Sequence, residues 1–160
     1  MTDIQIQPAT EADVPLLLDM FKALAEYERM ADELVATEQT IRVSFFGATP
    51  HAQAAIARIG GEAVGYAVWF FTYSTFLSRP GLYLEDVFVL PAWRGKGIGK
   101  ALLRHLARIA VERGCGRFEW SVLDWNETAI RFYRGIGARP MDEWTVYRMT
   151  GDAIKQLAQT

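Results

Sequence analysis

The sequence is poor in the residues that form disulfides and metal sites, since its 160 residues include one cysteine and two histidines. A single thiol, Cys115, cannot form an internal disulfide, which suits a reducing cytoplasm. The polar start of the chain, at Thr2 and Asp3, predicts no signal peptide. His51 and His105 are isolated in the sequence, so no metal site is predicted. We therefore expect a cytoplasmic protein that binds no metal.

The sequence also lacks an excess of one charge and a long apolar run. The formal net charge is −2 and the isoelectric point is about 5.7, so no basic surface for nucleic acid is predicted. The longest apolar stretch, residues 63–71, is too short to span a bilayer and is interrupted by Gly65 and Tyr66. Lysine and arginine cluster within residues 94–100 and 104–117. This clustering favours an anionic ligand over a polymer or a membrane.

Length and composition are those of a globular protein. Hydrophobic residues make up 51% of the chain and charged residues 22%. No linker, repeat or low-complexity segment interrupts the sequence. A chain of this length fits one ordinary domain and buries roughly 70% of the surface that its unfolded form exposes. We predict a single domain over residues 1–160.

Hydrophobic periodicity predicts alternating strands and helices. Residues Thr10 to Asp13 resemble a capping box, Thr37 and Asn126 are N-cap candidates, and Gly60-Gly61 predicts a hairpin turn. The predicted strands are residues 4–8, 52–59, 62–74, 82–90, 118–122 and 144–149. The predicted helices are residues 14–25, 37–47, 97–113, 126–137 and 152–159. This order predicts an α/β fold, a mixed sheet with helices on its faces.

The most informative segment joins a buried strand to a helix through a glycine-rich turn, residues 84–100, LEDVFVLPAWRGKGIGK. The first amides of a helix have no intrahelical partner and lie at the positive end of the helix dipole. Glycines let a phosphate approach these amides, and Arg94, Lys96 and Lys100 add positive charge. The segment therefore predicts a pyrophosphate-binding site.

The spacing of the glycines separates the known pyrophosphate motifs. A Walker loop requires glycine at position 94 and Ser or Thr at position 101, and the chain has neither. A dinucleotide fingerprint that starts at Gly95 requires glycine at position 100, and one that starts at Gly97 requires it at position 102; the chain has neither. Such a fingerprint is followed by an acidic residue about twenty positions on, and Glu119 lies twenty residues past Gly99, so this alternative stays open. A turn that merely joins strand to helix is a further alternative. The pattern Arg-x-x-Gly-x-Gly, from Arg94 to Gly99, resembles the acetyl-CoA pyrophosphate signature of the GNAT superfamily.

Acetyl transfer to an amine requires a proton acceptor near the amine and a proton donor for the departing thiolate. Glu85, through a water, is the candidate general base, and Asp86 is the candidate contact for a cationic substrate. Adjacent strand residues point to opposite faces, so we expect the two carboxylates on opposite sides of the sheet. An edge strand with solvated charges is the alternative. The phenol of Tyr133 is the candidate general acid, and a core tyrosine is the alternative.

Five motifs, of which the Arg94 to Gly99 pattern is one, resemble the spermidine/spermine acetyltransferase group of the GNAT superfamily, and the match extends over nearly the whole chain. They are Pro8-Ala9-Thr10, Leu24-Ala25-Glu26-Tyr27-Glu28, Tyr83-Leu84-Glu85-Asp86, Arg94-Gly95-Lys96-Gly97-Ile98-Gly99, and Trp125-Asn126-Glu127 with Phe132-Tyr133. The resemblance implies the GNAT acyl-CoA N-acyltransferase fold, with a central, mostly antiparallel sheet flanked by helices. It also implies an acetyl-CoA-dependent N-acetyltransferase that forms a homodimer with its active site near the subunit interface.

The resemblance implies a role for each matching position. The cofactor pantetheine would bind Val87, Phe88 and Val89. The pyrophosphate would bind Arg94, Gly95, Lys96, Gly97, Ile98, Gly99 and Lys100. Asn126 and residues 119–121 would assist, and Tyr133 would contact the cofactor as general acid. The amine pocket would contain Tyr27, Glu28, Glu85 and Asp86.

One segment departs from the polyamine-acetylating members of the group. Tyr73-Ser74-Thr75-Phe76 lacks the Asp and Trp that those members carry there and, with residues 122–126, resembles the thialysine-acetylating branch. Because each ammonium of a polycation needs its own partner, we expect a lysine analogue such as thialysine, another amino acid or a short diamine. Two other functions stay open, a peptide or protein N-acetyltransferase and a non-catalytic acetyl-CoA-binding regulatory module.

Overall fold

A five-stranded sheet in the order β1-β2-β3-β4-β5 is the centre of the computed structural model, which describes residues 3–160. The strands are β1 (Gln5–Pro8), β2 (Gln53–Ile59), β3 (Glu62–Ser74), β4 (Arg79–Val89) and β5 (Arg117–Trp120). Strands β1 to β4 pair antiparallel in succession, and β5 pairs parallel with β4. The prediction of a mixed, mostly antiparallel sheet is confirmed.

The chain divides into two compact units, one that ends at Ser121 and one that comprises Val122–Thr160. The expectation of a single domain stays a prediction. Thr2, on which the signal-peptide expectation partly depends, lies outside the described residues. Within residues 3–160, no helix has the length and apolar character needed to cross a membrane.

Three helices of the first unit cover the sheet. They are α1 (Val14–Tyr27), α2 (Glu38–Phe46) and α3 (Ile98–Glu112). Leu17 of α1 and Ile41 of α2 pack with Ile56, Tyr66 and Phe88 of the sheet in one buried cluster. Helix α3 contacts β3 and β4 on the other face. The sheet is therefore flanked by helices on both faces, as predicted.

The predicted helix starts are confirmed by their hydrogen bonds. The backbone N–H of Thr10 donates to Asp13 Oδ2 at 2.8 Å just before α1, as in a capping box. Thr37 Oγ1 accepts from the N–H of Thr40 at 3.1 Å at the start of α2. Each bond satisfies a backbone donor or a helix-start amide that would otherwise lack a partner.

The second unit contains α4 (Glu127–Gly135) and α5 (Asp152–Gln159). The predicted strand over residues 144–149 is wrong, because this segment has no regular secondary structure. Trp144, Val146 and Tyr147 expose 73%, 83% and 93% of their surface. An apolar pattern stabilises a strand only when a neighbouring strand pairs with it and its side chains are covered, and here the side chains are exposed.

Candidate active site

A β-bulge in β4 places two carboxylates on one side of the sheet. Val68 of β3 pairs with Asp86 and the following residue, Trp69, pairs with Leu84, so Glu85 is an extra residue on β4. Bulges re-aim side chains, and Glu85 and Asp86 both line one cleft. The expectation that these side chains point to opposite faces is wrong, because it assumed a regular pleat.

Asp86 is partly buried and hydrogen-bonded. The hydroxyl of Tyr66 donates to Asp86 Oδ2 at 3.1 Å. Burial raises the pKa of Asp86 from 3.8 to about 6; the Tyr66 hydrogen bond opposes this rise, and the charges of Glu85 and Glu28 add to it. Burial and the Asp86 charge raise the pKa of Tyr66 well above 10.0, so its hydroxyl stays a donor. The alternative of a solvated edge strand is therefore wrong for Asp86, whereas Glu85 is exposed.

Glu28 completes a group of three interacting carboxylates, called here the carboxylate cluster (Glu28, Glu85 and Asp86). Burial raises the pKa of Glu28, and the charge of Glu85 raises it further. Glu28 follows the last residue of α1, which ends with the N–H of Met30 donating to the carbonyl of Ala25 at 2.8 Å, as in a Schellman motif. Arg29, which lies between Glu28 and Met30, has a φ of 60°, a conformation that favours glycine. The end of α1 thus fixes Glu28 near β4.

An open cleft of about 490 Å³ lies between the sheet and helices α1 and α2. Its apolar lining consists of Phe21, Phe45, Ala52, Val68 and Phe70, and its polar lining of His51, Glu85 and Asp86. The rings of Phe21 and Phe45 have centres 6.1 Å apart. Carboxylates attract an ammonium group, and aromatic faces favour it further. The cleft has the chemistry of a site for a cationic amine.

The edge of β4 that faces β5 is paired along only its first part. Strand β5 pairs with Gly81 to Leu84, so among the described residues of the first unit residues 86–89 of β4 pair with β3 alone, and the bulged Glu85 pairs with neither strand. An unpaired strand edge offers backbone N–H and C=O groups to an extended ligand. Val87 and Val89 are half-buried, whereas the ring of Phe88 is buried 6.0 Å from that of Tyr27. Phe88 can therefore contact a ligand here only through its backbone.

The glycine turn (residues 94–99) leads into the start of α3. Gly95 and Gly97 have φ values of 75° and 82°, which glycine adopts without strain. A Cβ added at Gly99 would meet only Val89, at 3.8 Å, so packing does not require glycine there. The N-cap has no side chain and the first turn of α3 has no acidic residue. The helix-start amides therefore fit an anionic group, as predicted for a pyrophosphate.

Two cations, Arg94 and Lys96, belong to the glycine turn, and a third, Lys100, follows it. Lys100 is exposed on α3. The guanidinium of Arg94 lies 4.4 Å from the ring centre of Tyr27, and Lys96 Nζ lies 4.5 Å from that of Trp93. Arg94 Nε also donates to the carbonyl of Val89 at 3.1 Å. Exposed cation–π contacts contribute only about 0.5–1 kcal/mol and a typical hydrogen bond about as much, so a phosphate can compete for these cations. The Arg94 contact brings the end of α1, where Tyr27 and Glu28 lie, next to the glycine turn.

Asn126 and Tyr133 belong to the second unit. Asn126 Oδ1 accepts from the N–H of Ala129 at 3.3 Å, which confirms its predicted N-cap role for α4. Tyr133 lies in the last part of this helix, with its ring 5.8 Å from that of Phe132. Within the first unit the structure brings together Tyr27, the carboxylate cluster and the glycine turn. The catalytic role of Tyr133 and the cofactor role of Asn126 stay predictions.

Sequence reasoning missed several residues of this site. Phe21 and Phe45 occur at helical spacings that also predict core residues, so no local signal marks them as cleft residues. His51 is isolated in the sequence and carries no signal for a site there, yet it lines the cleft. Tyr66, the hydrogen-bond partner of Asp86, is distant from it in sequence. Among residues 3–160, no group of three or more His, Cys, Asp or Glu side chains could hold a metal ion.

Comparison with known proteins agrees with this geometry. The sequence profile of the Acetyltransferase (GNAT) family matches residues 17–138. Thialysine N-epsilon-acetyltransferase of Sus scrofa is 37% identical over 99% of this chain and 99% of its own length. L-ornithine N5-acetyltransferase NATA1 of Arabidopsis thaliana is 29% identical over 96% of this chain and 87% of its own length. A solved structure of an integron cassette protein from the mobile metagenome of V. cholerae matches with a TM-score of 0.83 and 29% identity, over 100% of this chain and 99% of that one.

Proposed function

Since this chain belongs to the GNAT acetyltransferase family, we propose that it transfers the acetyl group of acetyl-CoA to a primary amine of a small cationic substrate. The observation that carries the proposal is that Glu85 and Asp86, which line a cleft with three phenylalanine rings, lie on the strand that leads into the glycine turn. A site for a cation therefore lies next to a site for a diphosphate. Both are expected of an enzyme that transfers an acetyl group from acetyl-CoA to an amine.

The residues that would hold acetyl-CoA follow from the geometry of β4 and α3. The amides at the start of α3, with Arg94, Lys96 and Lys100, would bind the diphosphate. The unpaired edge of β4 at Val87 to Val89 would bind the pantetheine, and Asn126 would assist. Bound in this way, acetyl-CoA supplies a thioester carbonyl as the electrophile. The remaining chemistry belongs to the side chains of the protein.

The amine must lose a proton before it attacks. With a pKa near 10.4, only about 4 in 10,000 alkylamines are neutral at pH 7, which corresponds to about 4.6 kcal/mol. Asp86, whose pKa is about 6, is mostly ionised at pH 7 and would bind the ammonium. Glu85 is exposed beside it and would accept the proton through a water. Tyr27 and Glu28 would complete the amine pocket.

Tyr133 would donate a proton to the departing thiolate. A phenol is a donor at neutral pH, and the N-cap of Asn126 fixes the helix that carries it. The motif order that resembles the spermidine/spermine acetyltransferase group supports this role. That resemblance also supports a homodimer, and the single cysteine supports a cytoplasmic location.

We propose a lysine analogue such as thialysine, or another short amine, as the substrate. The names of the similar proteins support this choice, since one acts on thialysine and another on ornithine. The segment Tyr73-Ser74-Thr75-Phe76, which lacks the Asp and Trp of the polyamine-acetylating members, supports it as well.

The test is thiol release from acetyl-CoA across a panel of thialysine, lysine, ornithine, spermidine and an unstructured lysine-containing peptide. We expect the highest kcat/KM with thialysine or another short amine. Preference for the peptide would instead support a peptide N-acetyltransferase. Binding of acetyl-CoA without thiol release for any amine would support a non-catalytic regulatory module.

A further inference from the structure

We propose that His51 binds the carboxylate of an amino acid substrate and thereby selects amino acids over diamines of the same length. This inference rests on the proposed function and deepens it by naming the group that recognises the far end of the substrate. Among the described residues that line the cleft, His51 is the only one that can carry a positive charge.

The position of His51 is fixed by its backbone. It lies between α2 and β2, and its N–H donates to the carbonyl of Ser44 at 2.8 Å. Within residues 3–160 the imidazole itself makes no hydrogen bond or ion pair, although it lines the cleft and is exposed. An imidazole offers at least one N–H donor in either protonation state. His51 therefore has an unused donor that faces the cleft.

The charges of the cleft are separated along its length. Glu85 and Asp86 lie on β4, and His51 precedes β2, on the far side of β3. An amino acid whose side-chain ammonium binds the carboxylates would direct its own carboxylate toward the imidazole. A diamine in the same place would direct a second ammonium toward His51, where no lining carboxylate meets it. The arrangement therefore favours a substrate whose far end carries a carboxylate beside its α-ammonium over one whose far end is an ammonium alone.

The dimensions of the cleft agree with this assignment. Strands β2 and β4 are two strand spacings apart, about 10 Å. His51 also lies two residues, about 7 Å, beyond Gln53, whose row across the sheet passes through Trp69 to Leu84, next to Glu85, so the backbones of His51 and Glu85 are about 12 Å apart. An extended lysine side chain is about 6 Å long, and a hydrogen bond at each end adds about 3 Å. A lysine-like molecule can therefore reach from the carboxylates to the imidazole.

The experiment compares two substrates that differ by one group, thialysine and its decarboxylated diamine. We expect wild type to have a higher kcat/KM for thialysine. In His51→Ala the value for thialysine should fall about 10- to 100-fold, as expected for a lost hydrogen bond to a charged group, while the value for the diamine stays the same or rises. His51→Gln, which keeps a neutral donor, should retain part of the preference. Gln53→Ala, an exposed neighbour on β2 that does not line the cleft, is the matched control and should behave as wild type.

Equal losses for both substrates in His51→Ala, or an unchanged preference, would overturn the inference. So would a wild type that prefers the diamine. Calorimetric titration of both substrates into the protein with CoA separates this inference from the proposed function. Suppose that no thiol is released, that wild type binds thialysine more tightly than the diamine, and that His51→Ala binds the two equally. The proposed function then fails and the role of His51 stands.

Discussion

Replacing Asp86 with asparagine should stabilise the protein at neutral pH while it weakens activity. The carboxylate of Asp86 is partly buried and lies near the charges of Glu85 and Glu28, and both conditions disfavour its ionised form. The amide oxygen of asparagine can still accept the hydrogen bond of Tyr66, so the substitution removes the charge and keeps the shape. The loss of charge removes a partner of the proposed ammonium.

The magnitude follows from the two pKa values of Asp86, 3.8 as the ordinary value and about 6 in the folded protein. Because the folded pKa is the higher one, the folded state binds more protons between these values, and stability falls as pH rises through that window. A difference of about 2.2, at about 1.4 kcal/mol for each pKa unit, corresponds to about 3 kcal/mol at pH 7. For a chain of this length such a gain would raise the Tm by about 6–12 °C at most.

Urea unfolding at several pH values between 4 and 8 measures this effect. The advantage of Asp86→Asn over wild type should be small near pH 4, grow through pH 6 and level off above pH 7. Glu62→Gln, at an exposed position at the start of β3, is the control and should follow wild type. Curves for Asp86→Asn and wild type that stay parallel, or an Asp86→Asn variant less stable at pH 7, would refute the reasoning.

Three further substitutions test the other parts of the site. Gly99→Ala should keep or slightly raise the Tm, since the new methyl group meets only ordinary contact, but it should raise the KM for acetyl-CoA about tenfold. Gly135→Ala in α4 is the control, and an unchanged KM in Gly99→Ala would contradict the diphosphate site. Glu85→Gln should lower kcat by about 10²- to 10⁴-fold at pH 7 and less at pH 9, where more amine is neutral, and a pH profile like that of wild type would remove Glu85 as the base. Tyr133→Phe should lower kcat by a similar factor with little change in Tm, so full activity in this variant would show that its phenol is not the acid.

Most of the fold could be predicted because its signals are local. The capping residues Thr37 and Asn126 form the predicted bonds at the starts of α2 and α4, and Gly60-Gly61 lies at the turn between β2 and β3. The wrong prediction, a strand at residues 144–149, came from an apolar pattern whose partner strand no local signal can supply. Pairing is a property of two segments, and a pattern in one of them does not establish it.

The candidate site was predictable to the extent that its chemistry lies in one continuous segment. The glycine turn is such a segment, so its close approach to the open helix start could be expected from the sequence. The bulge at Glu85 could not be predicted, because the register of β4 against β3 depends on both strands. The same holds for Tyr66, which meets Asp86 across the sheet, and for His51, which lines the cleft, because neither is near β4 in the chain.

The carboxylate cluster shows how the fold opposes its own stability at the site of chemistry. The bulge turns Glu85 toward the side of Asp86. Arg29, whose backbone adopts the left-handed conformation, ends α1 so that Glu28 lies near both carboxylates. Burial raises the pKa of Asp86 and Glu28, and the charges of the neighbouring carboxylates raise it further. An ammonium bound at this cluster would reverse this effect, since it would favour the ionised carboxylates and lower the pKa of Asp86 again. The repulsion in the free protein would therefore contribute to selectivity for a cation, because a positively charged ligand relieves it.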